Sequence, residues 1–141
     1  MNNNTITKLR EMSLNGMADA IREQINNSNY EKYSFEERLG MIVDSEWDKR
    51  RNNKMIRLLH DANFKFINAN IADVDYHEDR NLDRSQLIDL SSCSYIQRNE
   101  NIIIMGASGS GKTWLSCALG NHACRKYYSV RYIRLPELLD D

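Results

Sequence analysis

The chain holds 141 residues, enough for one domain or slightly more with a buried core of ordinary proportions. Hydrophobic residues at 41% and charged residues at 28% argue against disorder, and six Gly with a single Pro argue against a loop-rich β-sandwich. Nineteen Lys and Arg against twenty Asp and Glu leave a net charge of −1, so nucleic acid can be met only through a local patch.

The longest aliphatic run, Ile102-Ile103-Ile104-Met105, is far too short to span a bilayer, so no membrane contact is expected. The N-terminus has neither a basic start nor an apolar run, so no secretory signal is visible and the expected location is the cytoplasm. Cys93, Cys117 and Cys124 are odd in number and lack metal-ligand spacing, and they read as reduced thiols packed like small apolar groups. Cys117 and Cys124 stand seven apart, on one face of a helix.

The first 70 residues read as helix. Ile6, Leu9, Met12 and then Met17, Ile21, Ile25 recur at three- and four-residue steps, with a break near Gly16. Asn26-Asn27-Ser28-Asn29 ends the second helix in turn-forming residues. Ser34-Phe35-Glu36-Glu37 fits a capping box for a third. Phe35, Leu39, Ile42, Val43 and Trp47 form its apolar stripe, expected to be buried against the two shorter helices. Met55, Leu58, Leu59 and Ala62 extend the stripe beyond Asn52-Asn53, a polar interval expected to interrupt the helix.

Residues 71–99 read as a linker and a short helix. Asp73, Asp75 and His77 alternate, but no glycine turn or closing Glu follows, so the spacing is not that of a calcium loop. Asp83 reads as the N-cap of a helix from Arg84 to about Ser92. Asn101 to Met105 then has the β-branched character of a strand buried on both faces, and Val130 to Ile133 reads as a second strand. Between them Trp114 to Lys126 is helical, and Pro136 suits the start of another helix.

Directly after the first strand, Gly106-Ala107-Ser108-Gly109-Ser110-Gly111-Lys112-Thr113 matches G-x-x-x-x-G-K-[ST]. At average composition this match arises by chance in roughly one chain of this length in 200, and the strand before it and helix after it sharpen the signal. Triphosphate oxygens need many donors at close range. Gly106, Gly109 and Gly111 leave backbone N–H groups approachable and permit positive φ. The helix N-terminus adds unpaired N–H groups and its dipole. Lys112 would place an ammonium between the β- and γ-phosphates, and Thr113 would give a hydroxyl to Mg²⁺. The cofactors expected are ATP and Mg²⁺. Trp114 either packs or stacks on a base, and His122 reads as a boundary histidine. No catalytic residue is assigned.

Lys49, Arg50, Arg51, Lys54 and Arg57 put five positive charges into nine residues with no acid among them. Arg50, Lys54 and Arg57 share a face. That face is either solvated and balanced by Glu46 and Asp48, or a salt-sensitive contact to the backbone of double-stranded DNA.

The chain resembles the IstB-like family, ATP-binding helpers of insertion-sequence transposition related to the DnaC helicase loaders within the AAA+ group. The carrying segments are Lys8-Leu9-Arg10-Glu11-Met12, Leu14-Asn15-Gly16-Met17-Ala18, Ser34-Phe35-Glu36-Glu37-Arg38-Leu39-Gly40, Asp44-Ser45-Glu46-Trp47, Leu82-Asp83-Arg84 and Glu100 through Gly120. The resemblance implies an α/β fold: a helical domain over 1–70 that engages DNA or a partner, then, over 100–141, the start of a P-loop AAA+ parallel-sheet core. It implies ATP-promoted assembly on double-stranded DNA, handover to the transposase of the same insertion sequence, and self-assembly. No Walker B acid, sensor residue or arginine finger is recognised, and Asp140 and Asp141 are badly placed for the first. The sequence therefore reads as the N-terminal part of a longer protein or the product of a disrupted gene, and hydrolysis is left open. A DnaC-like helicase loader and a non-catalytic interaction module for DNA or transposase are the alternatives.

Overall fold

The computed structural model describes residues 3–76 and 82–140, which form helices joined by short turns. They divide into two compact units, Met1–Lys54 and Met55–Asp141. In the first, α1 (Asn3–Glu11) and α2 (Asn15–Asn26) bury Ile6, Leu9 and Ala18 together, with Leu14, Met17 and Ile21 packed against them. Met12 and Ile25, part of the same periodicity, stay exposed.

Gly16 is not the break between these helices. Ser13 makes the reversal, with φ at 62°, and Gly16 lies inside the first turn of α2. What Gly16 provides is space. A Cβ there would stand 2.9 Å from both Glu46 Cα and Ser45 O of α3 (Phe35–Ala62). The close approach has an electrostatic purpose, because Leu14 at the N-cap of α2 has no group to offer the first N–H donors. Glu46 supplies the missing acceptor. Its Oε1 takes the N–H of Gly16 at 2.9 Å and of Met17 at 3.2 Å, while Oε2 takes Arg50 Nε at 2.7 Å. Burial pushes the Glu46 carboxyl up, but the Arg50 guanidinium and the two N–H groups outweigh it and hold the pKa below its ordinary value.

The rest of this side of α3 is polar too. Gln24 Nε2 donates to Arg38 O at 3.0 Å, and Arg38 Nε donates to Gln24 Oε1 at 3.1 Å. Lys49 Nζ lies 3.7 Å from Asp19, which also takes a 2.8 Å hydrogen bond from Arg10 that lowers its pKa. Arg38, Glu46 and Lys49 thus face α2. The expected burial of Phe35, Leu39, Val43 and Trp47 is overturned: all four are exposed, Trp47 at 60%. The polar seam beside them, and not the apolar stripe, meets α2.

Ser34 and Glu37 do form the capping box, with reciprocal bonds of 3.1 and 3.2 Å. α3 then runs for 28 residues through Asn52-Asn53 without the expected interruption. Two Asn cost a helix at most about 0.7 kcal/mol each, little for a helix packed at both ends.

In the second unit a 3₁₀ turn at Ile71–Asp73 precedes α4 (Arg84–Ser91), α5 (Ser94–Gln97), α6 (Lys112–Arg125) and α7 (Leu135–Asp140). Asp83 caps α4 as expected, accepting from Ser85 N–H at 3.0 Å. The core joins Ala62, Phe64 and Ala69 to Cys117, Ala118 and Cys124 of α6, with Leu58, Leu59, Trp114 and Tyr132 packed around them. Three backbone ties fix α6 and the segment after it. Asn121 Nδ2 donates to Ile67 O at 3.1 Å, Cys124 Sγ to Leu58 O at 3.7 Å, and Tyr132 N–H to Ala62 O at 2.8 Å. His122 Nε2 sits 2.6 Å from Ser91 O, so that nitrogen carries the proton. All three thiols are buried, and burial raises the pKa of Cys93 and Cys124.

The two expected strands are not formed among the described residues. A strand exists through a ladder to a neighbour, and neither Asn101 to Met105 nor Val130 to Ile133 has one. Ile102 and Ile104 are half-buried, but Ile103 and Met105 are 82% and 86% exposed, so the run is covered on one side only.

Substitutions at this seam separate the two faces of α3. Gly16→Ala should cost about 1–3 kcal/mol in chemical denaturation, because its methyl meets backbone. Trp47→Ala should stay within about 0.5 kcal/mol of the parent. The Glu46 contribution should be complete above its unfolded value of 4.5 and fade as pH falls through the lower folded value. A Glu46→Gln variant should lose that acid dependence between neutral pH and pH 3 when Tm is followed by circular dichroism.

Candidate phosphate-binding site

Residues 106–113 form a tight loop that opens directly into α6. Ser110 N–H donates to Ala107 O at 3.1 Å, closing a turn. Gly109 and Gly111 have φ of 79° and 96°, the left-handed conformation that residues with a Cβ adopt only under strain. Gly106 does not share it: a Cβ there would instead meet Ser110 Oγ at 2.7 Å. Gly111 is the N-cap of α6 and has no side chain to cap the helix. The first N–H groups of α6 therefore have no acceptor within their own helix, and the dipole adds positive potential there.

Lys112 Nζ donates to Gly106 O at 2.6 Å, which ties the ammonium across the loop it belongs to. Its side chain is half-buried, and Thr113 beside it is exposed. A cavity of about 710 Å³ adjoins the loop, bounded by Ile104, Met105, Gly106, Gly109 to Lys112, Trp114 and Leu115. Asp73, Val74, Asp75 and Leu82 complete its described lining. No motif marks residues 73–75, and only the alternation of Asp73 and Asp75 singles them out. Within the described residues no three His, Cys, Asp or Glu converge as metal ligands, and His77 lies outside the described residues. Trp114 packs against the core and also borders the cavity. An N–H nest at a helix N-terminus, an ammonium at 2.6 Å from the loop carbonyl and a cavity of ligand size together suit a polyphosphate anion.

The basic stretch lies on α3, all five side chains exposed. Lys49 pairs with Asp19 and Arg50 with Glu46, so both of these also serve the fold. The Arg51 guanidinium lies 5.6 Å from the Trp47 ring centroid. Asp140 ends α7, exposed, and Asp141 lies outside the described residues. No helix among the described residues is long and apolar enough to cross a membrane.

A family model described as IstB-like ATP binding protein matches residues 7–141. The chain belongs to the IstB-like family. It is 38% identical over 140 residues to an insertion sequence IS1162 protein of Pseudomonas fluorescens that is named for ATP binding, across 99% of this chain and 61% of that protein. A Sinorhizobium fredii insertion-sequence protein, also named for ATP binding, is 42% identical over 134 residues, across 95% and 54%. The insertion sequence IS21 protein of Pseudomonas aeruginosa is 24% identical over 131 residues, across 93% and 49%. The chain thus spans between 49% and 61% of the length of these relatives. The match to the family model begins within α1 and takes in every segment that carried the resemblance, from Lys8 to Gly120.

The loop geometry makes a prediction about backbone strain. A Cβ at Gly109 meets nothing within 4 Å, so Gly109→Ala tests conformation alone. It should cost about 1–2 kcal/mol in thermal unfolding through its positive φ. Gly106→Ala, which needs only a rotation of the Ser110 hydroxyl, should cost less.

Proposed function

We propose that this chain is the nucleotide-binding portion of an insertion-sequence transposition helper, in which bound ATP governs contact with double-stranded DNA and with the transposase of the same element. The loop at Gly106 to Thr113 carries the reading: it has the positive-φ glycines, the lysine and the adjoining cavity that a polyphosphate needs. Membership of a family described as ATP binding, and relatives named from insertion sequences, support ATP as the ligand and transposition as the context. Those names also favour transposition over helicase loading.

The backbone N–H groups of Gly106 to Thr113 would hold the phosphates, and the Lys112 ammonium would leave Gly106 O for a phosphate oxygen. The exposed Thr113 hydroxyl would serve Mg²⁺, which supplies neutralising charge when bound. The finer fold belongs to the same reading: residues 1–70 as the domain for DNA or partner, 71–99 as linker, and 100–141 as the start of a AAA+ parallel-sheet core. The exposed Ile103 and Met105 support it, because a neighbouring strand would cover them. Self-assembly and a cytoplasmic location complete the proposal.

Calorimetric titration of ATP with Mg²⁺ tests the ligand. The parent chain should bind, and Lys112→Ala should weaken binding at least tenfold; equal affinity in the two would overturn the assignment. Phosphate release from this chain is expected to stay at background. Release that vanishes in Lys112→Ala would instead point to Asp73, Asp75 or Asp140 as an acid that activates water. For the DNA half, changing Arg50, Lys54 and Arg57 together to Ala should lower both duplex affinity and the slope of its salt dependence.

A further inference from the structure

Trp47 is a large ring left in solvent. At 60% exposure it is out of place on a helix whose neighbouring face is sealed against α2, and its truncation is expected to leave stability almost unchanged. Its surroundings give it a setting. Counting 100° per residue, Arg50, Arg51 and Lys54 fall within about 60° of Trp47 around the α3 axis, all on its C-terminal side. Arg51 stacks its guanidinium 5.6 Å from the ring centroid, and Arg57 continues the same run one turn further on. By the same count Asp44 and Asp48 lie about 60° and about 100° from the ring, on the side that also holds Arg51, so the cationic edge of the ring is the side of Arg50 and Lys54. On the N-terminal side the same face carries Gly40, where nothing lies within 4 Å of a Cβ, and Val43. An exposed ring at the edge of a cationic run suits a polyanion that also offers flat apolar faces.

Duplex DNA is such a polyanion. Phosphates meet the cations, and a base step accepts an apolar wedge from a helix at the cost of local unstacking. We propose that Trp47, steadied by Arg51, is a wedge that enters duplex DNA at a base step while Arg50, Lys54 and Arg57 hold the flanking phosphates. This rests on the DNA reading above and deepens it: the duplex is deformed by α3 and not merely held by charge. The insertion should favour flexible pyrimidine–purine steps, which unstack most easily.

The test uses the whole chain and a short duplex carrying 2-aminopurine at a TA step, whose emission rises when the base unstacks. Fluorescence anisotropy reports affinity in the same samples. The parent protein should bind and raise the emission. Trp47→Ala should weaken binding about tenfold or more, the worth of one stacked aromatic, and abolish the emission rise while the salt slope stays unchanged. Trp47→Phe should retain most of both. The triple Arg50, Lys54 and Arg57 variant should show the opposite pattern, with a lower salt slope. Binding by the parent that is salt-sensitive but silent in emission, or equal in Trp47→Ala, would overturn the wedge and leave the DNA reading standing. Failure of the parent to bind duplex at all, or binding to polyglutamate in its place, would overturn both.

Discussion

Glu46 gives α2 the acceptor that α2 lacks in its own sequence, and the seating of α3 against α2 follows from that carboxylate. To reach the N–H groups of Gly16 and Met17, α3 must come within van der Waals range of the α2 backbone, which requires a residue without a Cβ at position 16. Once it is there, Gln24 and Arg38 meet further along, Lys49 reaches Asp19, and Arg50 closes on the free oxygen of Glu46. The seam costs desolvation of several polar groups. It is satisfied throughout: among the described residues no buried side-chain nitrogen or oxygen lacks a partner. A charged cap also favours one register, since sliding α3 by a single residue would remove the carboxylate from the helix end.

Two of the segments that carried the family resemblance meet at this point. Leu14 to Ala18 and Asp44 to Trp47 are far apart in the chain, and the structure joins them through Glu46 and Gly16. In the sequence each reads as part of an ordinary helix. The pattern of apolar residues places Phe35 to Trp47 inward, and it fails because hydrophobic periodicity assumes that helices meet through apolar stripes. Here a polar tertiary cap with a charge-assisted bond fixes the register, and one position around α3 decides which side faces α2. Local chemistry was more reliable. The Ser34 box and the Asp83 cap depend only on neighbours in sequence, and both are present as read.

The phosphate loop was legible for the same reason. Its shape lies in backbone conformations that particular residues permit within eight consecutive positions, so the pattern and the geometry coincide. Positive φ at Gly109 and Gly111, and the start of α6 at Lys112, correspond to the motif directly. What surrounds the loop was not legible. Asp73 and Val74 come to the cavity through a 3₁₀ turn that Asn70 holds by accepting from Ala72 N–H, a local device that carries no signal of where the turn will point. Strand character was only half legible. Ile102 to Met105 has the composition of a doubly buried strand, but composition describes what a segment suits, and a ladder also needs a second segment.

The tie between Lys112 and Gly106 bears on how the loop meets an anion. A bare ammonium beside a helix N-terminus would be two positive potentials side by side, a repulsion that tends to swing the lysine away into solvent. By accepting from Nζ at 2.6 Å, the Gly106 carbonyl offsets part of that repulsion and keeps the charge at the loop. A phosphate oxygen offers the same nitrogen a full negative charge in place of a carbonyl dipole, and it reaches the helix N–H groups at the same time. Exchange of one acceptor for the other therefore needs little movement of the lysine. The short reach, six residues from ammonium to carbonyl, is set by the spacing of Gly106 and Lys112 within the motif itself. That spacing is why the loop holds the Lys112 ammonium in place by its own carbonyl.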